Sequence, residues 1–173
     1  SFGHGITTTL LQIVKAYSII VNGGFEINPI LLKSKQKKKR KKVLNKDVSE
    51  KILPILRKIV STKDGTAKLA NISGYEIGGK TGTANKSFEG KYSNKKINTF
   101  VSVFPTSRPK FILAVMLDEP KINKNYIYEY KDGSNFKLKG SPRNTAGWNS
   151  VEVTGHIIEK IGPILATKHS EIN

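Results

Sequence analysis

No cysteine occurs among the 173 residues, which excludes disulfides and cysteine metal sites but leaves the compartment open. Histidine is scarce too. His4, His156 and His169 lie far apart and form no HExxH or H-x-H pattern, so a metal site is not expected. No apolar run approaches the roughly 18 residues that a membrane span needs. The N-terminus, Ser1-Phe2-Gly3-His4, shows no initiator Met, no basic n-region and no apolar h-region. No signal peptide is therefore visible, and an upstream portion is expected to be missing. Glycine and proline are not in excess and hydrophobic residues make up 37%, which describes a folded segment with one core. The length suits one domain and is too short for two ordinary ones.

Acidic residues are also in deficit, 13 against 30 basic ones, for a formal charge of +17. Much of the excess sits in one run, Lys33-Ser34-Lys35-Gln36-Lys37-Lys38-Lys39-Arg40-Lys41-Lys42. Such a block repels itself and reads as a solvated loop, here a basic insertion over 33–42. A nucleic-acid or anionic-lipid patch is the alternative. No RNP motif, zinc finger or helix-turn-helix pattern accompanies the run, so a nucleic-acid partner is disfavoured.

Apolar periodicity predicts a helix over Leu10 to Val21, with Leu10, Ile13, Val14, Tyr17, Ile20 and Val21 on one face. Thr9 and Gln12 form a capping box, and Asn22-Gly23-Gly24 ends the helix. An extended segment, Ile27 to Leu32, is interrupted at Pro29. A second helix is predicted over 46–60 behind an Asn45 cap, burying Val48, Ile52, Ile55, Leu56 and Ile59. Pro54 should kink or split it. Asp64-Gly65 makes a turn, and 66–70 suits one helical turn. The pattern then changes to strands at 76–84, 98–104 and 110–117. The last two join through Pro105 to Pro109 as an antiparallel hairpin. Residues 118–147 are polar and read as a long loop. A final helix is predicted over 150–165, with Pro163 cutting it short. Helices, then strands, then a helix imply an α+β fold with an antiparallel sheet flanked by helices.

Lys80-Thr81-Gly82-Thr83 is the sharpest chemical signal. Extended backbone there can pair with a peptide as another strand would. Gly82 leaves room for a close approach. Lys80 places positive charge for a carboxylate. Thr81 and Thr83 supply hydroxyl donors, and the N–H near Thr83 suits an oxyanion. Taken alone, the tetrapeptide fits a solvated surface strand better. K-T-G occurs beside S-x-x-K in penicillin-binding proteins and β-lactamases. Here Ser-x-x-Lys begins at Ser34, Ser93, Ser107 and Ser134, all in lysine-rich loops or turns, where a serine has no buried lysine to activate it. Ser-x-Asn does not occur. Adjacent Asp118 and Glu119 should point to opposite faces at a strand end. His4 reads as a loop residue, and Trp148 as a core anchor for the last helix.

A wider resemblance surrounds the tetrapeptide. Ser1-Phe2-Gly3-His4-Gly5-Ile6, Thr9-Leu10-Leu11-Gln12, Ala16-Tyr17 and Asn22-Gly23-Gly24 resemble a stretch of class B penicillin-binding proteins, most closely the septal, division-type transpeptidases. Val60 to Ala67, Gly79 to Ala84, Phe100-Val101, Phe104-Pro105, Asp118-Glu119-Pro120 and Thr145 to Trp148 continue it, in order, over nearly the whole chain. Three features depart from the family pattern: Leu10 where proline is common, the lysine run, and the long loop after Pro120. The resemblance implies the C-terminal part of one transpeptidase domain, hence a partial penicillin-binding/β-lactamase-like fold over 1–173. The family's S-x-x-K and S-x-N lie upstream of Ser1, so no catalytic residue is assigned. Substrate binding falls to Lys80, Thr81, Gly82 and Thr83. The implied parent cross-links peptidoglycan stem peptides, is acylated by β-lactams and needs no metal or organic cofactor. It would work at the periplasmic side of the inner membrane, with its anchor and the rest of the domain upstream, among other division proteins. A serine β-lactamase or β-lactam sensor fragment shares the K-T-G strand and is the nearest alternative.

Overall fold

The computed structural model describes residues 6–32, 40–141 and 143–170; of Phe88, His169 and Ser170 it describes only the backbone. Most of the lysine run, and His4, lie outside the described residues.

Helix α1, Leu10–Val21, begins with the expected capping box: Thr9 Oγ1 accepts from the Gln12 N–H, and Gln12 Oε1 accepts from the Thr9 N–H. It ends at Gly23 and Gly24, both in the left-handed region (φ +87 and +88). Gly24 is a pinch point. A Cβ there would sit 2.0 Å from the Leu44 carbonyl, and the Gly24 carbonyl accepts from the Val43 and Leu44 N–H groups. An isolated bridge pairs Phe25 with Lys42. The segment 27–32, expected to be extended, forms no strand.

Helix α2, Lys46–Ser61, runs unbroken through Pro54. Pro54 is exposed, so the carbonyl that loses its helical donor faces solvent and the helix need not split. Ile55, expected in the core, is 56% exposed. The buried arc holds Ser49, Leu56 and Val60, and Ile55 lies roughly 100° around the helix from Leu56. A 3-10 turn, η1 (Lys68–Ala70), follows Gly65.

Three antiparallel strands form the sheet, in the order β1-β2-β3: β1 Gly78–Phe88, β2 Lys91–Phe104 and β3 Phe111–Asp118. β1 and β2 extend well beyond the predicted spans into a polar arm. The arm closes on Glu89 and Gly90, both with positive φ, as a two-residue hairpin turn demands. The segment 118–147, expected to be a loop, contains a small hairpin of β4 (Ile127–Glu129) and β5 (Lys137–Lys139). After a 3-10 turn, η2 (Ala146–Trp148), helix α3 runs over Ser150–Ser170. It passes Pro163, which is exposed like Pro54 and costs the helix a single bond.

Helices cover both faces of the sheet. Alternation along β2 puts Phe100 and Phe104 on one face, packed with Val151 and Ile158 of α3 and with Leu69 and Ala70 of η1. Val103 faces the other way, onto Val21 of α1 and Leu56 of α2. Trp148 packs edge-on against Tyr128, their ring centres 5.2 Å apart, beside the first cluster, so the tryptophan anchors the hairpin as well as the helix.

Two glycines let β1 fit between these layers. A Cβ on Gly78 would come within 3.0 Å of the α2 backbone at Leu56 and Arg57, and one on Gly79 would lie 2.6 Å from the Phe100 ring and 2.5 Å from the Val101 carbonyl. Gly79→Ala should therefore lower stability by about 1–3 kcal/mol, the usual cost of overpacking, read as a lower midpoint in urea unfolding with an unchanged slope.

Candidate active-site cleft

β1 pairs with β2 on one side, and among the described residues its other edge has no strand partner. The sequence-selected residues lie on this edge strand. Register divides them. Lys80 pairs with Val101 and Gly82 with Thr99, so both belong to the α1/α2 face. Thr81 pairs with Phe100 and Thr83 with Asn98, so both belong to the α3 face. Lys80 is exposed, and its ammonium donates to the Thr81 carbonyl at 2.7 Å. Gly82 is exposed, with only ordinary contacts near its missing Cβ.

Thr81 and Thr83 border a cleft of about 360 Å³ between β1, η1 and η2. Thr81 Oγ1 lies 3.2 Å from Thr66 Oγ1. Thr83 Oγ1 accepts from the Ala146 N–H at 3.0 Å, which leaves its own hydrogen free to be donated. Among the described residues two cations, Lys68 and Arg143, also line the cleft, and no carboxylate does. Lys68 sits 5.5 Å from the centre of the Tyr130 ring, a cation–π distance. Such a cleft favours an anion. Sequence reading missed Thr66, Lys68 and Arg143, because only the fold brings η1 and the loop before η2 beside β1. Lys80 does not line this cleft.

The other candidates fall elsewhere. Ser93 donates to the Lys86 carbonyl, and the Ser107 N–H donates to Glu76 at 3.0 Å. Ser107 borders a larger groove of about 530 Å³, lined by Tyr75, Phe104, Phe111 and Leu165, which none of residues 80–83 reaches. Ser134 is exposed on the β4–β5 turn, and Ser34 lies outside the described residues. Asp118 and Glu119 do not point apart. Glu119 has φ +50, beyond the end of β3, and both carboxylates meet Lys86, at 3.0 and 2.9 Å. Glu119 and Asp118 hold Lys86 above its usual pKa, and Lys86 with Lys95 holds Glu119 below the usual carboxylate range. Alternation fails there because the strand has already ended.

The penicillin binding protein transpeptidase domain matches residues 1–136. The chain belongs to that family. The domain's curated relatives include the "Probable peptidoglycan D,D-transpeptidase FtsI" of Caulobacter vibrioides, 30% identical over 179 residues, covering 97% of this chain and 28% of that protein. The "Peptidoglycan D,D-transpeptidase FtsI" of Buchnera aphidicola is 37% identical over 133 residues, covering 73% and 23%. The chain thus spans about a quarter of the length of these relatives. The transpeptidase domain of Burkholderia pseudomallei penicillin-binding protein 3 has the same fold, with a TM-score of 0.72 at 24% identity over 94% of this chain and 44% of that one. The expected class, an antiparallel sheet flanked by helices within a partial transpeptidase fold, is therefore the observed one.

Behind η2, Tyr126 donates to Glu152, which also meets His156 Nε2 at 2.9 Å. The Glu152 bond, burial and the carboxylate's charge push the Tyr126 phenol up to about 12. A phenol raised above its ordinary value near 10 adds stability below pH 10 and loses it as pH rises through 12. Absorbance titration should show tyrosinate formation near pH 12 that is smaller in Tyr126→Phe, and that variant should lose less stability between pH 10 and 12.

Proposed function

We propose that this chain is the C-terminal portion of a septal peptidoglycan D,D-transpeptidase and that its edge strand holds the donor stem peptide. The single observation that supports this best is a glycine-bearing strand edge, open to solvent, carrying Lys80, Thr81, Gly82 and Thr83 in a chain of the transpeptidase family. An extended peptide laid along that edge adds one more strand, and Gly82 lets it approach. Its terminal carboxylate meets the hydroxyls of Thr81 and Thr83, and Lys80, on the other face of the strand, adds positive charge at the same edge.

The reaction on this reading is acyl transfer. A serine from the upstream part of the domain attacks the D-Ala-D-Ala carbonyl, the terminal D-Ala leaves, and an amine of a second stem peptide resolves the acyl-enzyme. A β-lactam acylates the same serine. The N–H near Thr83 faces the oxyanion. The protein acts on the periplasmic side of the inner membrane, beside other division proteins. No helix among the described residues is long and apolar enough to cross a membrane. The relatives carry transpeptidase names, which gives no support to the β-lactamase, sensor or nucleic-acid readings.

Without the upstream serine the 173 residues alone are inactive. Incubation with a fluorescent penicillin should leave no covalent band on this chain after denaturation, while the intact protein labels. Lys80→Ala in the intact protein should slow labelling about tenfold or more, the worth of a hydrogen bond to a charged group. A denaturation-resistant band on the isolated chain, or full labelling of Lys80→Ala, would count against the assignment.

A further inference from the structure

We infer that Asn98 and Asn144 are positioning residues that aim the Thr83 hydroxyl at the substrate carboxylate. This rests on the reading of Thr83 given above. Asn98 lies on β2 directly opposite Thr83, on the face where Phe100 enters the core, and is fully buried. An amide at that place is costly, the more so because its Oδ1 has no partner among the described residues. Its NH2 donates to Asn144 Oδ1 at 3.1 Å. The orientation of this amide is forced. The NH2 of Asn144 is taken by the Pro120 carbonyl, so Asn144 presents only its oxygen, and only the NH2 of Asn98 can meet it.

Asn144 is the hub of this arrangement. Its Oδ1 also accepts from Asn149 Nδ2 at 3.2 Å, and its backbone carbonyl accepts from Lys96 Nζ at 3.2 Å. One residue thus ties the loop before η2 to β2, to the turn after β3 and to the start of α3. Two residues further on, the Ala146 N–H donates to Thr83 Oγ1 at 3.0 Å. With that lone pair occupied, the Thr83 hydrogen points away from Ala146, and a β-branched side chain has few other rotamers to adopt. The asparagines fix the loop, the loop fixes the hydroxyl, and the hydroxyl faces the open side of β1 as a donor.

The test compares acylation of the intact protein by a penicillin and by its methyl ester. Both present the same lactam, but only the acid carries the carboxylate. The acid-to-ester rate ratio therefore reads carboxylate recognition and is insensitive to general loss of fold, which slows both. Thr83→Val should lower the ratio about tenfold, and Asn144→Ala about threefold to tenfold, as expected for one weakened hydrogen bond to a charged group. If Asn144→Ala is recovered unfolded, Asn98→Ser removes the amide donor opposite Thr83 and should lower the ratio in the same direction. A ratio that falls in Thr83→Val but stays at the wild-type value in the asparagine variants overturns this inference. A ratio unmoved by Thr83→Val overturns the reading of Thr83 on which it stands.

Discussion

The close approach of β1 to its neighbours at Gly78 and Gly79 governs the site. On one side the strand touches the backbone of α2, and on the other the ring of Phe100. No side chain fits at either place. That contact fixes where the strand runs, and so where the next four residues lie. Lys80 and Gly82 then turn to one face of the sheet, and Thr81 and Thr83 to the other, with the free edge between them. A peptide docked along the edge would be reached from both faces at once, which a helix or a loop could not provide.

The electrostatics of the cleft follow from which elements converge on it. Lys68 arrives on η1 and Arg143 on the loop before η2, while the carboxylates nearby are engaged elsewhere. Asp118 and Glu119 hold Lys86, and Glu152 is shared between Tyr126 and His156. The high net charge is thus not spread indifferently. Among the described residues around the threonines, Lys68 and Arg143 meet no carboxylate, and Lys68 faces only the Tyr130 ring, so the lining suits an anionic group.

Much of the fold was legible because burial is periodic. The apolar face of α1, its capping box and the hairpin of β2 and β3 all follow from spacing alone. What escaped had a physical reason. The arm at 85–97 is rich in Lys, Asn and Ser, and with no buried face it shows no alternation. The β4–β5 hairpin is three residues a side and is held by Tyr128 and Trp148, a contact between segments distant in sequence. Ile55 looked like core because a helix stripe read from spacing is broad, while α2 buries only the arc around Leu56 and Val60. At the site, the four residues of the edge strand were readable from their motif. Thr66, Lys68, Arg143 and the asparagine hub were not, since each reaches β1 from a separate part of the chain. One clue did exist: alternation puts Asn98 on the same face of β2 as Phe100 and Phe104, and an amide on a core-facing side signals a partner.

The pinch at Gly24 has a consequence for how this chain can diverge. Residues 24–25 and 42–44 are stapled backbone to backbone, so everything between them leaves and returns at one point. Among the described residues, only the start of that excursion is tied to α1, where Lys15 Nζ donates to Glu26 at 2.7 Å and to Asn28 at 3.1 Å. Residues can be gained there for little more than the entropy of closing a longer loop, about 0.6 kcal/mol for each doubling of its length.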